Sequence, residues 1–218
     1  MSTVFQKLIE CSDHFKQVLE QNGTLVDEGN NFGWPNYVYT SSSFRRAHLD
    51  IIDARESKKL YMMHLCIFPH TDDTSPIYGF DIIAGPNKVT GAFHDFSDHA
   101  MMKWFSERVR NLEWNKTRIL PEWAQNIFSD SMIAAGNIQD QNELDTILNL
   151  AKNTLEYYIE NVGYTRVAFD TSPAQDYYCY NQRQNPHTPK VMESLGIDPE
   201  TIELFVRKCL FPPANPQA

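Results

Sequence analysis

Two single ionisable residues inside otherwise apolar runs, and a histidine and an aspartate two positions apart in a third run, are this chain's strongest chemical signal. His64 sits in Tyr61-Met62-Met63-His64-Leu65-Cys66-Ile67-Phe68 and Asp81 in Tyr78-Gly79-Phe80-Asp81-Ile82-Ile83-Ala84. His48 and Asp50 share the run Phe44-Arg45-Arg46-Ala47-His48-Leu49-Asp50-Ile51-Ile52. Alternate residues of a strand share a face, so His48 and Asp50 project together. Each has an ordinary reading when taken alone. His48 and Asp50 suit the solvated face of a half-buried sheet, His64 a hydrogen-bonded core histidine, and Asp81 a structural acceptor. Together they point to acid/base work. If the strands bearing His64 and Asp81 pair across the link from Pro69 to Pro76, an imidazole and a carboxylate meet in an apolar pocket. Each then perturbs the other's proton equilibrium, and the pair can share or relay a proton.

A metal centre is the competing use of His48, Asp50, His64, Asp81, His94 and Asp95, and it would make the chain a metal hydrolase. No HExxH or comparable ligand pair occurs, and His94 and Asp95, being adjacent, point to opposite faces of a strand. No metal is therefore expected. There is also no GxGxxG, no Walker-type glycine loop and no GxSxG to support flavin, nicotinamide, nucleotide or serine-hydrolase chemistry. Cys11, Cys66, Cys179 and Cys209 show no CxxC spacing, which favours inert reduced thiols over a zinc ribbon or a disulfide framework.

The elements that must hold these residues follow from periodicity. Val4, Phe5, Leu8, Ile9, Phe15, Val18 and Leu19 recur at helical spacing before Asn22-Gly23, so the first twenty residues read as an amphipathic helix. Short strand-like runs come next: Tyr37 to Thr40, Ala47 to Ala54, Leu60 to Phe68, Ile77 to Ala84 and Val89 to Phe96. The connections Arg55 to Lys59 and Gly85 to Lys88 are of hairpin length, so a meander of antiparallel neighbours is expected. The longer link from Pro69 to Pro76 reads as a functional rim. Helical periodicity returns over Ala100 to Leu112 and Asn142 to Val162, and Asp198-Pro199-Glu200 reads as a capped helix start. The fold class is α+β: a three-layer α/β/α sandwich around a central antiparallel sheet. One domain spans residues 1–218, with a mobile tail from about residue 212.

Composition narrows the partners. The 218 residues carry 28 acidic and 19 basic side chains, a net charge of −9, so a general nucleic-acid binder is disfavoured. At 42 % hydrophobic and 12 % aromatic residues, the chain can bury a single sizeable core. No run is long enough to cross a bilayer, and Lys7, Glu10, Asp13 and Lys16 interrupt the N-terminus, leaving no signal-peptide core. A cytoplasmic monomer that binds neither membrane nor nucleic acid is expected.

The runs around His48, His64 and Asp81 stand in a recognisable order with Asp95-Phe96-Ser97, Leu120-Pro121-Glu122-Trp123, Ile127-Phe128-Ser129 and Tyr178-Cys179-Tyr180-Asn181-Gln182-Arg183-Gln184-Asn185. This ordered set covers most of the chain and resembles the ferredoxin-dependent bilin reductases. Its nearest likeness is to the phycocyanobilin-forming branch and the phage and metagenomic relatives that make phycoerythrobilin. The resemblance implies reduction of biliverdin IXα by single electrons from reduced ferredoxin through bilin radicals, with no bound cofactor. It implies an α/β/α sandwich whose sheet and C-terminal helices hold the bilin. It makes Asp81 the central proton donor, His64 its partner and His48 part of a proton relay, and it places Arg118, Thr90, His187, Asn185 and Phe80 at the bilin.

Departures from the family pattern bear on the product. Asp50 stands where the phycocyanobilin-forming branch has a glutamate needed for D-ring vinyl reduction, and one methylene exceeds the tolerance of a positioned donor. Pro186 replaces a second aspartate found in many relatives, and His187 stands where they have a propionate-binding lysine. Arg118 matches the arginine that holds a bilin propionate, a role suited to its forked guanidinium. Phycoerythrobilin, formed by way of 15,16-dihydrobiliverdin, is the expected product; the alternatives are phycocyanobilin and, in another class, a non-catalytic bilin carrier. Because such ferredoxins are acidic, a local basic patch is expected from Arg45, Arg46, Lys103, Arg108, Arg110 and Lys116.

Overall fold

A computed structural model describes residues 3–28, 32–97 and 101–214. Helix α1 (Thr3–Asn22) leads into the strands β1 (Thr24–Val26), β2 (Asn36–Thr40), β3 (Phe44–Ala54), β4 (Leu60–Pro69), β5 (Tyr78–Ala84) and β6 (Val89–Phe96). Helices α2 (Met101–Val109) and α3 (Glu122–Gln125), strand β7 (Ile133–Ala135) and the long helix α4 (Gln141–Asn161) follow. The chain continues through α5 (Ser172–Gln182), α6 (His187–Ser194) and α7 (Pro199–Leu204), which runs into a π-helical turn, Phe205–Leu210. The seven strands form one sheet in chain order, each antiparallel to the next. The meander expected from the hairpin-length links is therefore what forms. Strands β1 and β7, too short to stand out from their turn-rich surroundings, extend it at both edges.

Both faces of the sheet are covered, which explains why β3 to β6 lack the simple apolar/polar alternation of a half-solvated sheet. On one face α1 and α4 contribute Val4, Leu8, Phe15 and Leu19, and Leu144, Ile147, Leu148, Ala151 and Leu155, at three-to-four spacing. They pack on Leu49, Leu65, Ile67, Phe80 and Ile82 from the strands. Full burial of each such side chain contributes roughly 1.5–3 kcal/mol. Hydroxyls within this layer are satisfied: Tyr158 donates to the Pro76 carbonyl at 2.7 Å, and Tyr78 to that of Ala151 at 3.0 Å. Helix α4 starts cleanly because the Asp140 carboxylate accepts the Glu143 amide at 2.9 Å. The opposite face is covered by the C-terminal layer, in which Tyr178, Met192, Ile202, Phe205 and Leu210 pack on Cys66 and Phe68.

The link between β4 and β5 is fastened at its base. Asp73 accepts the Ser75 amide at 2.8 Å and the Thr165 hydroxyl at 2.6 Å, which ties the link to the chain after α4. It carries none of the ionisable groups singled out above. Two register shifts occur, one between Phe44 and Arg46 in β3 and one between Ile83 and Ala84 in β5. Ala100, expected to start a helix, lies outside the described residues. In the C-terminal tail, Ala214 donates its amide to Asp176 at 2.7 Å, and residues 215–218 lie outside the described residues. No described helix is long and apolar enough to cross a membrane.

Gly163, which ends α4, has φ of 93°, and a Cβ there would lie 3.0–3.2 Å from Ser43. The left-handed backbone alone disfavours an L side chain by about 1–2 kcal/mol. Gly163→Ala is therefore expected to lower the denaturant midpoint of unfolding with an unchanged m-value; an unaltered midpoint would mean that the α4 terminus is not held against the β2–β3 turn.

Candidate active site

Register decides which side chains meet. Asp50 on β3 lies opposite His64 on β4, and His64 lies opposite Asp81 on β5. Directly paired residues share a face and sit about 4.5–5.5 Å apart, so the three form one row across three strands. Asn36 on β2, paired with Asp50, extends the row at one end, and Phe93 on β6, paired with Asp81, extends it at the other. Two positions along each strand runs a second row: His48, Cys66, Gly79 and Asp95. The His48 and His64 rings stand 6.2 Å apart between centroids. All four candidate acid/base residues thus share the face beneath the C-terminal layer. His48 and Asp50 are 0 % and 6 % exposed, which rules out the solvated-face reading.

The cover over these rows is uneven. Phe205 meets His48 edge to face at 6.1 Å, and Phe211 meets His64 at 5.8 Å and 82°. The Trp34 indole donates to Asp50 Oδ1 at 2.6 Å. His48 donates through Nε2 to the Asn36 side-chain oxygen, and the Asn36 amide donates to Cys209 Sγ at 3.1 Å. This leaves His48 Nδ1 buried without a partner, as is His64 Nδ1. Over β4 and β5, however, Met62, His64, Gly79, Asp81 and Ile83 are only half-buried, whereas the residues between them are fully buried against α1 and α4. The site face is open there along a band that could take a flat apolar ligand.

Arg118 borders this band. It is exposed, its guanidinium donates to the Thr90 carbonyl, and its amide donates to the Ala134 carbonyl at 2.8 Å. Its side chain lies over two glycines: a Cβ on Gly136 would come within 2.7 Å of Arg118 Nε, and one on Gly91 within 3.8 Å. Gly91 pairs with Ile83, two residues from Asp81, so Arg118 lies on the same face as the row. The Thr90 hydroxyl is spent on the Ile83 carbonyl at 3.0 Å, so this residue engages Arg118 through its backbone. Asn185 and His187 lie at the start of α6, where Asn185 Oδ1 accepts the His187 amide at 2.9 Å, a bond within that turn. The placement of Phe80 at a ligand is corrected. An odd step from Asp81 puts it on the α1/α4 face, 1 % exposed, against Phe15 at 5.5 Å and His94 at 5.6 Å.

His94 is a core residue. Nδ1–H donates to the Gly79 carbonyl at 2.7 Å, which leaves Nε2 to accept from the Thr154 hydroxyl at 2.7 Å. Asp95, on the other face, accepts the Ser129 amide and hydroxyl at 2.7 and 2.5 Å. Among the described residues, no group of three or more His, Cys, Asp or Glu is arranged to hold a metal ion.

Burial moves the two kinds of site group in opposite directions. Desolvation pushes the Asp81 and Asp50 carboxyls up to about 7, opposed at Asp50 by the Trp34 hydrogen bond. Desolvation, reinforced by the Arg46 charge, pushes His64 down to about 4 and His48 well below its ordinary range. Near neutral pH the two carboxyls of the row are therefore poised close to their own titration, on either side of a neutral His64 imidazole. Such acids can donate a proton at physiological pH and be recharged there.

Residues 7–212 match the family model described as ferredoxin-dependent bilin reductase. The chain belongs to the ferredoxin-dependent bilin reductases. It is 25 % identical to a phycocyanobilin:ferredoxin oxidoreductase of Trichodesmium erythraeum over 86 % of this chain and 80 % of that one. It is 27 % identical to a protein of the same name from Gloeobacter violaceus, over 84 % and 76 %. The solved structure of PcyX superposes with a TM-score of 0.71 at 36 % identity, covering 94 % of this chain and 98 % of that one. A phytochromobilin synthase from tomato in complex with biliverdin shares the fold, with a TM-score of 0.70 at 12 % identity, over 98 % of this chain and 85 % of that one. The bilin reductase fold and the oxidoreductase class expected from the motifs are thus established.

Several residues of the site escape sequence reasoning. Trp34 and Asn36 fall in Asn31-Phe32-Gly33-Trp34-Pro35-Asn36, which reads as a turn, and Arg46, Phe205, Cys209 and Phe211 enter only through tertiary packing. Pairing Asn36 with Asp50 by register is the one signal that could have found the first segment. Arg46 leaves the docking patch: it is 5 % exposed and forks onto Glu28 at 2.9 and 3.0 Å. Arg45 leaves it too, being stacked on Phe68 at 4.6 Å and bonded to Gln175 at 2.6 Å.

The raised carboxyl carries a stability signature. Asp81 in the folded state is favoured as the neutral acid, so its contribution is complete below about pH 4 and lost as pH rises through about 7. The depressed His64 acts in the opposite sense, its contribution being complete above about 6.5 and lost as pH falls toward 4. Asp81→Asn removes only the first. The variant is expected to melt above the parent at pH 8, with the gap closing toward pH 4 in parallel thermal scans; a pH-independent gap would contradict the burial of Asp81 as an acid.

Proposed function

We propose that this bilin reductase reduces biliverdin IXα to phycoerythrobilin by way of 15,16-dihydrobiliverdin, taking four electrons singly from reduced ferredoxin. The row of Asp50, His64 and Asp81, brought side by side on one face by the register of three strands, is the observation that carries this reading; burial raises both carboxyls toward neutral pH. Each electron added to a bilin raises the basicity of its nitrogens and bridge carbons, so a bilin radical needs a proton donor in contact. Asp81 supplies protons to the bilin, His64 and His48 carry replacements through their free ring nitrogens, and Arg118 binds a propionate by its fork. No bound cofactor takes part, because the bilin itself carries the electrons. Asp50 supports the choice of product. Its carboxyl is one methylene shorter than the glutamate of the phycocyanobilin-forming branch, so the D-ring vinyl group stays unreduced. Phycocyanobilin is the second reading, favoured by the names of the curated relatives.

An anaerobic assay of the purified protein with biliverdin and reduced ferredoxin, followed by absorbance and chromatography, tests both steps. Phycoerythrobilin is expected; phycocyanobilin as the main product would overturn the regiochemistry, and bound pigment that never changes would make the protein a carrier. Asp81→Asn is expected to slow turnover by about 100-fold or more, the usual weight of a positioned general acid, while still binding biliverdin.

The docking surface for ferredoxin is assigned to Lys103, Arg108, Arg110 and Lys116, exposed on and after α2, where Arg108 stacks on Trp104 at 3.5 Å. Turnover at subsaturating ferredoxin is expected to fall several-fold from low to high salt, and Arg110→Glu to reproduce the fall at low salt. A rate flat in salt would remove electrostatic docking from the account.

A further inference from the structure

Asp50 has a partner from outside the strands that build the row. Trp34 precedes β2 at the position alternate to Asn36, and its indole reaches Asp50 Oδ1 at 2.6 Å. Its backbone neighbourhood is pinned, since the Pro35 carbonyl accepts the Ile51 amide at 3.0 Å, next to Asp50 itself. Its ring is pinned as well, tilted on Phe32 at 5.4 Å and edge to face with Phe205 at 5.0 Å. Turning the indole away from Asp50 would break both ring contacts.

An indole N–H can only donate, so the oxygen it meets is fixed as an acceptor, and a proton binding to the carboxyl is left on the other oxygen. We propose that Trp34 is a positioning residue for Asp50, holding Oδ1 as the acceptor so that Asp50 offers its proton from Oδ2 in one fixed orientation. What receives that proton rests on the bilin-reductase reading above. The other groups facing Asp50 are Asn36 on β2, His48 and Arg46 on β3, His64 on β4, Asp81 on β5 and Cys209 of the π-helical turn. Burial and the like charge of Asp81 favour the neutral acid at Asp50, and Trp34 is the donor that opposes them. The tie is therefore electrostatic as well as geometric: without it the carboxyl both turns more freely and holds its proton to higher pH.

The test uses the full chain labelled with 15N at its indoles; with four tryptophans, Trp34 can be assigned by replacing each of the other three with Phe. The Trp34 indole resonance is expected to move with a midpoint near neutral pH in the parent and to stay flat with pH in Asp50→Asn. A flat resonance in the parent, or the same titration in Asp50→Asn, would overturn the assignment without needing any variant at position 34. Trp34→Phe keeps an aromatic ring against Phe32 and Phe205 but removes the donor. In that variant the 13C carboxyl titration of Asp50 is expected to move up by about one pH unit, the size of one hydrogen bond to a charged group. An unmoved Asp50 titration in a folded Trp34→Phe would also refute the proposal. Turnover of the parent with biliverdin and reduced ferredoxin, measured alongside, separates the two readings. Unchanged pigment with a titrating indole removes the reductase function and keeps the contact, whereas reduced pigment with a silent indole removes only the role of Trp34.

Discussion

Gathering four ionisable side chains onto one face of the sheet, with His48 and Asp50 buried and His64 and Asp81 half-buried, is the constraint to which the rest of the molecule is fitted. A buried carboxylate and a buried imidazolium are both costly, and the cheapest combination is a neutral acid beside a neutral base. The row adopts that combination, with Asp50 and Asp81 favouring their protons and His48 and His64 refusing theirs. The permanent cation nearby, Arg46, is answered by its fork onto Glu28, so it depresses the histidines without standing uncompensated.

The other face of the sheet makes that arrangement durable. Leu49, Leu65, Phe80 and Ile82 alternate with Asp50, His64 and Asp81 along the same strands, so the register that buries the first set under α1 and α4 is the one that aligns the second. Packing and chemistry are thus set by one geometric choice. His94 belongs to the packing side, where its two ring nitrogens serve the Gly79 carbonyl and the Thr154 hydroxyl.

Much of this was legible in the residues alone. The hairpin-length links Arg55 to Lys59 and Gly85 to Lys88 announced the meander, and single ionisable residues in apolar strands marked the row, because burying such a group without a use is costly. The faces were harder to read. A sheet covered on both sides loses the alternation that separates inside from outside, which is why His48 and Asp50 have a plausible solvated alternative. The placement of Phe80 came from the family resemblance alone, and the one-residue step from Asp81 was the signal against it. Trp34 and Asn36 were hidden by Gly33 and Pro35, whose turn chemistry masks a segment that enters the site. The cover by Phe205, Cys209 and Phe211 depends on contacts more than a hundred residues apart along the chain, which local periodicity does not encode.

The two register shifts also have a bearing on how such a chain can vary over evolution. One falls in β3 before His48 and Asp50, the other in β5 after Asp81, so the stretch that carries the row runs uninterrupted between them. A single inserted residue inside that stretch would turn every later side chain of its strand to the opposite face and dismantle the site. The same insertion at either bulge, where spacing is already irregular, would be absorbed locally. Lineages related to this chain should therefore differ in length at the strand ends and in the connecting loops, and keep a constant count of residues through the middle of β3, β4 and β5.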